Sequence, residues 1–214
     1  MLKINNEKIL CLSPHPDDAE ISFSGTTKKF SNAQFDIYTF SIGNENEGSM
    51  SGEFRIKECL SFWDNFNSQN INLLTSKTKY ITELDEGSWI KKIEETLDIS
   101  SYDVILIPPK LDNHFEHRIV NSIGRVLSRN HCMSVLEYQT PSTKSEWKPN
   151  SYVVLDEEVF EQKCQSLLSS FEKQVLNGRV YFKKDYIRIF SQDHVCFRKG
   201  ASFVEKFKIL EAYL

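Results

Sequence analysis

A chain of 214 residues with 40% hydrophobic and 26% charged side chains can bury a real core and has an ordinary globular make-up. Its 26 basic and 30 acidic residues give a formal net charge of −4; the signs are mixed and no basic block offers to hold a phosphate backbone, so nucleic acid is not an expected partner. No stretch nears the roughly 20 apolar residues of a membrane span, and residues 1–7 lack an apolar leader, which makes the cytoplasm the expected location.

The first predicted element is a strand, Lys8-Ile9-Leu10-Cys11-Leu12, which stops at Pro14-His15-Pro16 and releases Asp17 and Asp18. A helix is expected over residues 21–30, then a strand over 35–42, rich in aromatic and β-branched residues. Residues 43–52 read as a polar, Gly-rich loop, either a binding loop or a plain surface loop. Phe54, Cys59, Leu60 and Trp63 take amphipathic helical spacing over 53–66, with Arg55 and Glu58 three apart near its start. A short strand over 71–74 and a helix over 89–97 follow. Tyr102-Asp103-Val104-Ile105-Leu106-Ile107 is a continuous apolar run of the kind buried on both faces of a parallel sheet.

That strand ends at Pro108-Pro109 and is followed by Asp112, His114, Glu116 and His117, then a helix through Ile119, Val120, Ile123, Val126 and Leu127. Strands are expected at 135–138 and 152–155, separated by a polar loop over 140–150. Asp156 reads as the N-cap of a helix through Val159, Phe160, Cys164, Leu167 and Leu168. Tyr186-Ile187-Arg188-Ile189-Phe190 alternates like a late strand, and residues 201–214 read as a closing helix. The alternation of strands and helices predicts an α/β fold, a doubly wound and mostly parallel sheet, in one domain spanning 1–214.

Five scattered cysteines without a C-x-x-C argue against a disulfide framework and a thiolate zinc site; three sit in apolar surroundings and read as core thiols. The histidines tell more. Three of the five, His15, His114 and His117, fall in two clusters just past strand ends, where open α/β sheets bind ligands. Each cluster alone is matched by a bland alternative, a capped turn or a surface helix start. Together, His15, Asp17, Asp18, His114 and His117 favour a mononuclear metal site. Three protein ligands leave an open position, and the spare acid and histidine suit proton transfer and oxyanion stabilisation. Residue chemistry alone points to metal-assisted hydrolysis of an amide or ester.

Pro14-His15-Pro16-Asp17-Asp18-Ala19-Glu20 closely resembles the A-H-P-D-D-x-E motif of the zinc-dependent LmbE-like (PIG-L) deacetylases, which remove acetyl groups from N-acetylglucosamine conjugates. Ser24-Gly25-Thr26 resembles that family's G-G-T step, Arg55 and Glu58 its R-x-x-E pair, and His114-Phe115-Glu116-His117 its H-x-D-H motif. Trp147 to Asn150, the Lys163 helix and Phe203-Val204-Glu205-Lys206-Phe207 are weaker echoes. The resemblance implies a Rossmann-like three-layer sandwich and a zinc ion, with ferrous iron able to share such a site. By the same resemblance His15, Asp18 and His117 hold the metal, Asp17 is the general base, His114 stabilises the oxyanion and protonates the leaving amine, and Arg55 contacts the substrate. The implied partner is an N-acetylated amino sugar, with a homo-oligomer left open. Departures are Pro14 for alanine, Ser24 for glycine, Glu116 for aspartate, and Asn44 near a position where glutamate is frequent. The competing readings are a metal hydrolase of another amide, ester or phosphoester, and a sugar-binding member without turnover.

Overall fold

The run Val104–Ile107 is buried throughout, and it lies near the middle of one seven-stranded sheet. The structure, a computed structural model, describes residues 7–43, 52–199 and 202–213; most of the Gly-rich loop expected at 43–52, Asn44 included, lies outside them. The strands are β1 (Lys8–Ser13), β2 (Gln34–Ser41), β3 (Ile71–Thr78), β4 (Val104–Ile107), β5 (Ser134–Tyr138), β6 (Ser151–Leu155) and β7 (Phe203–Glu211), in the order β3-β2-β1-β4-β5-β7-β6. The first five run parallel, and β7 is antiparallel to both β5 and β6.

Two-residue periodicity sorts the strand side chains into two cores. Ile9, Cys11, Phe35, Ile37, Val104 and Leu106 face helices α1 (Asp18–Lys29), α2 (Gly52–Phe66) and α5 (Glu157–Ser170). Leu10, Leu12, Tyr38, Phe40, Ile105 and Ile107 face α3 (Glu86–Thr96) and α4 (Phe115–Ser128). Three layers result, as expected for a doubly wound fold. The chain leaves β1 toward β3 and then crosses back to β4 on the other side, so a crevice opens between the carboxyl ends of β1 and β4. Gly124 lets α4 lie close over β4, since a Cβ there would run into Ile107. Among the described residues no helix is long and apolar enough to cross a membrane.

Two expected elements change type. Residues 186–190 belong to a short helix, Lys184–Phe190, not a strand. Ile187 is fully buried while Ile189 is 70% exposed, so the alternation marks no sheet face, and Tyr186 stacks on Phe190 at helical spacing. The expected closing helix is instead strand β7. Its pattern was hidden by Glu205 and Lys206, which interrupt an apolar run, yet Glu205 is buried. The Glu205 carboxylate accepts from the Gly25 and Thr26 backbone N–H groups and the Thr26 hydroxyl, and pairs with Lys163 Nζ at 2.5 Å. A Cβ on Gly25 would meet Leu155 at 2.6 Å and this carboxylate at 3.0 Å. The Gly25 step and two of the weaker echoes, Lys163 and Glu205, therefore meet in one buried knot. The five cysteines are free; four are buried and Cys132 is exposed.

Candidate metal centre

At the end of β1 the chain must turn sharply to start α1, and Asp17 takes the bend at φ 126°, ψ −27°. That conformation is strained for a residue with a Cβ, by about 1–3 kcal/mol, and such strain gathers at functional sites. The surroundings hold it in place. Glu20, buried beneath, accepts from the Asp17 backbone N–H at 3.1 Å and from Trp63 Nε1 at 2.8 Å. Burial pushes the Glu20 carboxyl up to about 7. The bend separates the two adjacent acids: Asp18 turns to the histidines, and Asp17 turns to Arg55.

Asp18 Oδ2 lies 3.1 Å from His15 Nδ1 and 3.2 Å from His117 Nε2, and those two nitrogens are 3.3 Å apart. Ligand atoms held tetrahedrally at zinc distances of 2.0–2.1 Å are separated by about 3.3 Å, so this triangle matches one face of a metal's coordination shell. The far nitrogen of each ring is anchored by a carboxylate: His15 Nε2 donates to Glu116 Oε2 at 2.5 Å, and His117 Nδ1 donates to Asp112 Oδ2 at 3.1 Å. This arrangement fixes the ring orientations, so that His15 Nδ1 and His117 Nε2 both face Asp18. His114, at the start of α4, completes a wider group, with one ring nitrogen within 4.8 Å of those of His15 and His117. Of the two donor sets, the Asp18 triangle has the closer metal spacing. His114 stacks 4.8 Å from His117 at the edge.

The electrostatics favour positive charge at the centre. Burial pulls the His117 imidazole down, but Asp18 and Asp112 outweigh it and raise it to about 10. His15 is raised by Asp18 and Glu116 against the same burial. Asp18 is held well below the usual carboxylate range by the two imidazoles despite being buried. Burial lifts Asp17 to about 6, with Arg55 opposing. His114 is lowered by burial and by the imidazoles beside it.

Around the triangle runs a cleft of about 520 Å³, within the range of small-molecule sites. It takes Ser41 from β2, Tyr80 after β3, His114 before α4, and Pro141 and Ser142 after β5, so the ends of all five parallel strands contribute. Arg55 reaches it from α2, donating to Pro16 O at 2.8 Å and lying 3.4 Å from Asp17 Oδ2. Glu58 does not pair with Arg55; it accepts from Gln174. Every site residue expected from sequence is thus brought to one place. The sequence reading missed Asp112, which also accepts from the His114 backbone N–H at 2.7 Å and from the Thr140 hydroxyl at 2.5 Å. It also missed Arg179, Tyr181 and Tyr186, which close the cleft from the C-terminal part of the chain. Asp112 carried a readable signal, an acid just before the histidine cluster. Arg179 and Tyr181 sit in a segment with no pattern, and Tyr186 opened the run read as a late strand.

Residues 10–128, more than half of the chain, match the model of a family described as PIG-L, GlcNAc-PI de-N-acetylase. A diacetylchitobiose deacetylase of Thermococcus kodakarensis is 36% identical over 47 residues, a match that covers 22% of this chain and 18% of that protein. Among solved structures, the zinc-inhibited form of teicoplanin deacetylase Orf2 superposes with a TM-score of 0.70 at 12% identity, over 94% of this chain and 97% of that one. GalB of Pseudomonas putida, a 4-carboxy-2-hydroxymuconate hydratase, gives 0.69 at 11% identity, over 97% and 98%. At such identities the likeness is one of fold, shared here by a deacetylase and a hydratase.

Proposed function

The chain belongs to the PIG-L family of de-N-acetylases, and on that premise we propose that it hydrolyses the acetamide of an N-acetylglucosamine-type sugar or sugar conjugate with the help of a bound metal ion. The observation that supports this reading most is the triangle of His15 Nδ1, Asp18 Oδ2 and His117 Nε2, with edges of 3.1, 3.2 and 3.3 Å. Those atoms would hold the ion; two imidazoles and a carboxylate suit zinc, and ferrous iron accepts the same donors. A divalent ion bound there lowers the pKa of a water to about 7 and polarises a carbonyl.

The chain's own groups do the rest. Asp17 accepts the proton of the attacking water, its carboxylate steadied by Arg55. His114 faces the developing oxyanion and gives a proton to the departing nitrogen, so that water and amide become acetate and free amine. Asp112 and Glu116 fix the ring orientations of His117 and His15. Arg55 contacts the sugar from the cleft wall.

The test measures metal content and acetate release together, on wild type and Asp17→Asn, over a panel of N-acetylglucosamine conjugates. The expected result is about one metal per chain. Acetate comes from wild type, and the variant slows on the order of 100-fold or more with its metal retained. Bound metal with turnover only of esters or phosphoesters would move the reading to another bond. Failure to bind zinc or iron on reconstitution would end it.

A further inference from the structure

Helix α2 addresses the turn after β1 with one stripe of side chains, Arg55, Cys59 and Trp63, spaced four apart so that they share a face. All three reach the segment 16–20. Arg55 Nη2 donates to Pro16 O at 2.8 Å, Trp63 Nε1 donates to Glu20 Oε1 at 2.8 Å, and the Cys59 thiol also hydrogen-bonds Glu20. The other carboxylate oxygen, Glu20 Oε2, accepts from the Asp17 N–H at 3.1 Å. Glu20, Cys59 and Trp63 are all buried, so solvent has little access to these bonds.

The consequence falls on a single peptide plane. Pro16 O and the Asp17 N–H belong to the same peptide unit, and α2 holds both of its ends, the carbonyl through Arg55 and the N–H through Trp63 and Glu20. Rotation of that plane is what would release Asp17 from φ 126°, and it would break both bonds at once. The same bend decides where the two acids point. Asp17 Oδ2 lies 3.4 Å from Arg55, while Asp18 Oδ2 lies 3.1 and 3.2 Å from the imidazoles. A carboxylate that must meet a water in the cleft is effective only when aimed there, since a displacement of about 1 Å costs on the order of 100-fold in rate. An indole N–H is donor only, so Trp63 orients the Glu20 carboxylate without competing for the Asp17 N–H.

We propose that Trp63, acting through Glu20, is a positioning residue for Asp17: it locks the Pro16–Asp17 peptide plane and with it the aim of the Asp17 carboxylate. The inference rests on the deacetylase reading for the role of Asp17 as base, but not for the lock itself. It gives a part in the reaction to a tryptophan that is not among the residues lining the cleft and that its helical spacing marks only as core.

The test compares zinc-loaded wild type, Trp63→Phe, Glu20→Gln and the double variant. Two things are measured: acetate release from the N-acetylglucosamine conjugate that wild type turns over best, and hydrogen exchange of the Asp17 amide relative to the amides of β4, which report global opening. Trp63→Phe keeps an aromatic ring and loses the donor. Its kcat should fall about 10-fold, with KM within about twofold, about one zinc per chain retained, and relative exchange at Asp17 about 10-fold faster. In Glu20→Gln one amide oxygen faces two donors, so kcat should fall about 30-fold or more. Removing the indole donor as well frees that oxygen for Asp17, so the double variant should be no slower than Glu20→Gln alone. Losses that simply multiply would overturn the inference. So would an unchanged kcat in Trp63→Phe, or a loss of zinc in step with kcat, which would make the pair a support of the whole turn rather than of its base. If one single variant does not fold, the other carries the kcat, zinc and exchange readouts. No acetate from wild type would end the deacetylase reading and leave exchange to decide the lock: an Asp17 amide as protected in Trp63→Phe as in wild type overturns it.

Discussion

Two of the places where the molecule buries charge are used in opposite ways. In the knot around Glu205, the carboxylate has four donors from α1 and α5, and nothing is left over for a ligand. In the centre between β1 and β4, Asp18 and two imidazoles are held 3.1–3.3 Å apart around a shared point, and the cleft opens onto them. The first arrangement closes every valence and ties the last strand to the first helix. The second gathers its polar atoms at the floor of an open cleft. Burial is similar; the difference lies in where the hydrogen bonds end.

That contrast can be broken most forcefully at the centre. Asp18→Ala should abolish tight metal binding and reduce turnover by on the order of 1,000-fold, and should destabilise the metal-free protein by about 1.5–3 kcal/mol, less than the loss of a permanently charged pair because the two imidazoles left behind can shed their protons. Parallel metal analysis and calorimetry decide it; a variant that binds metal normally would contradict the triangle. The converse change is Glu205→Gln, which leaves Lys163 buried beside a neutral amide. It should cost about 3–5 kcal/mol in urea unfolding while the surviving folded fraction keeps its metal. A loss of metal in step with stability would show that the two regions are not separate.

Chelation sharpens the comparison further. Removing the ion should lower the unfolding free energy by about 2.7 kcal/mol relative to protein at a hundredfold excess over its dissociation constant, and Glu205→Gln should show the same increment on its lower baseline. The smallest effect is expected at Glu116→Gln. Its amide accepts from His15 Nε2 less strongly than the carboxylate 2.5 Å away, so metal affinity should drop about 10- to 100-fold in chelator competition, with little change in fold stability. Unchanged affinity would mean that His15 is oriented by its backbone alone.

The centre was more readable in the sequence than the fold around it. His15, Asp18 and His117 announce themselves because imidazoles and acids rarely cluster just past two apolar runs, and metal chemistry needs those types there. The sheet's central strands are equally plain, since burial on both faces demands continuous apolar residues such as those of Val104–Ile107. Strand β7 was not readable, because Glu205 and Lys206 look solvent-directed until their partners are known, and those partners lie on other elements. The segment 186–190 failed for a different reason: five residues of mixed polarity fit either period, and only the packing of Ile187 settles the matter. Arg179 was invisible, since a single arginine after a glycine has no pattern to betray it.

The place of β7 between β5 and β6 bears on how the protein comes to be made. Strand β6 is synthesised earlier, but its sheet partner is β7, so it has nowhere to dock until residues 203–211 have emerged. The Gly25 amide likewise waits across 180 residues for Glu205. Between the synthesis of β5 and that of β7 the growing chain therefore carries β5 as a bare edge, the kind of edge that can pair with another chain. The histidine and aspartate motifs are made early, and the sheet that carries them is completed by β7.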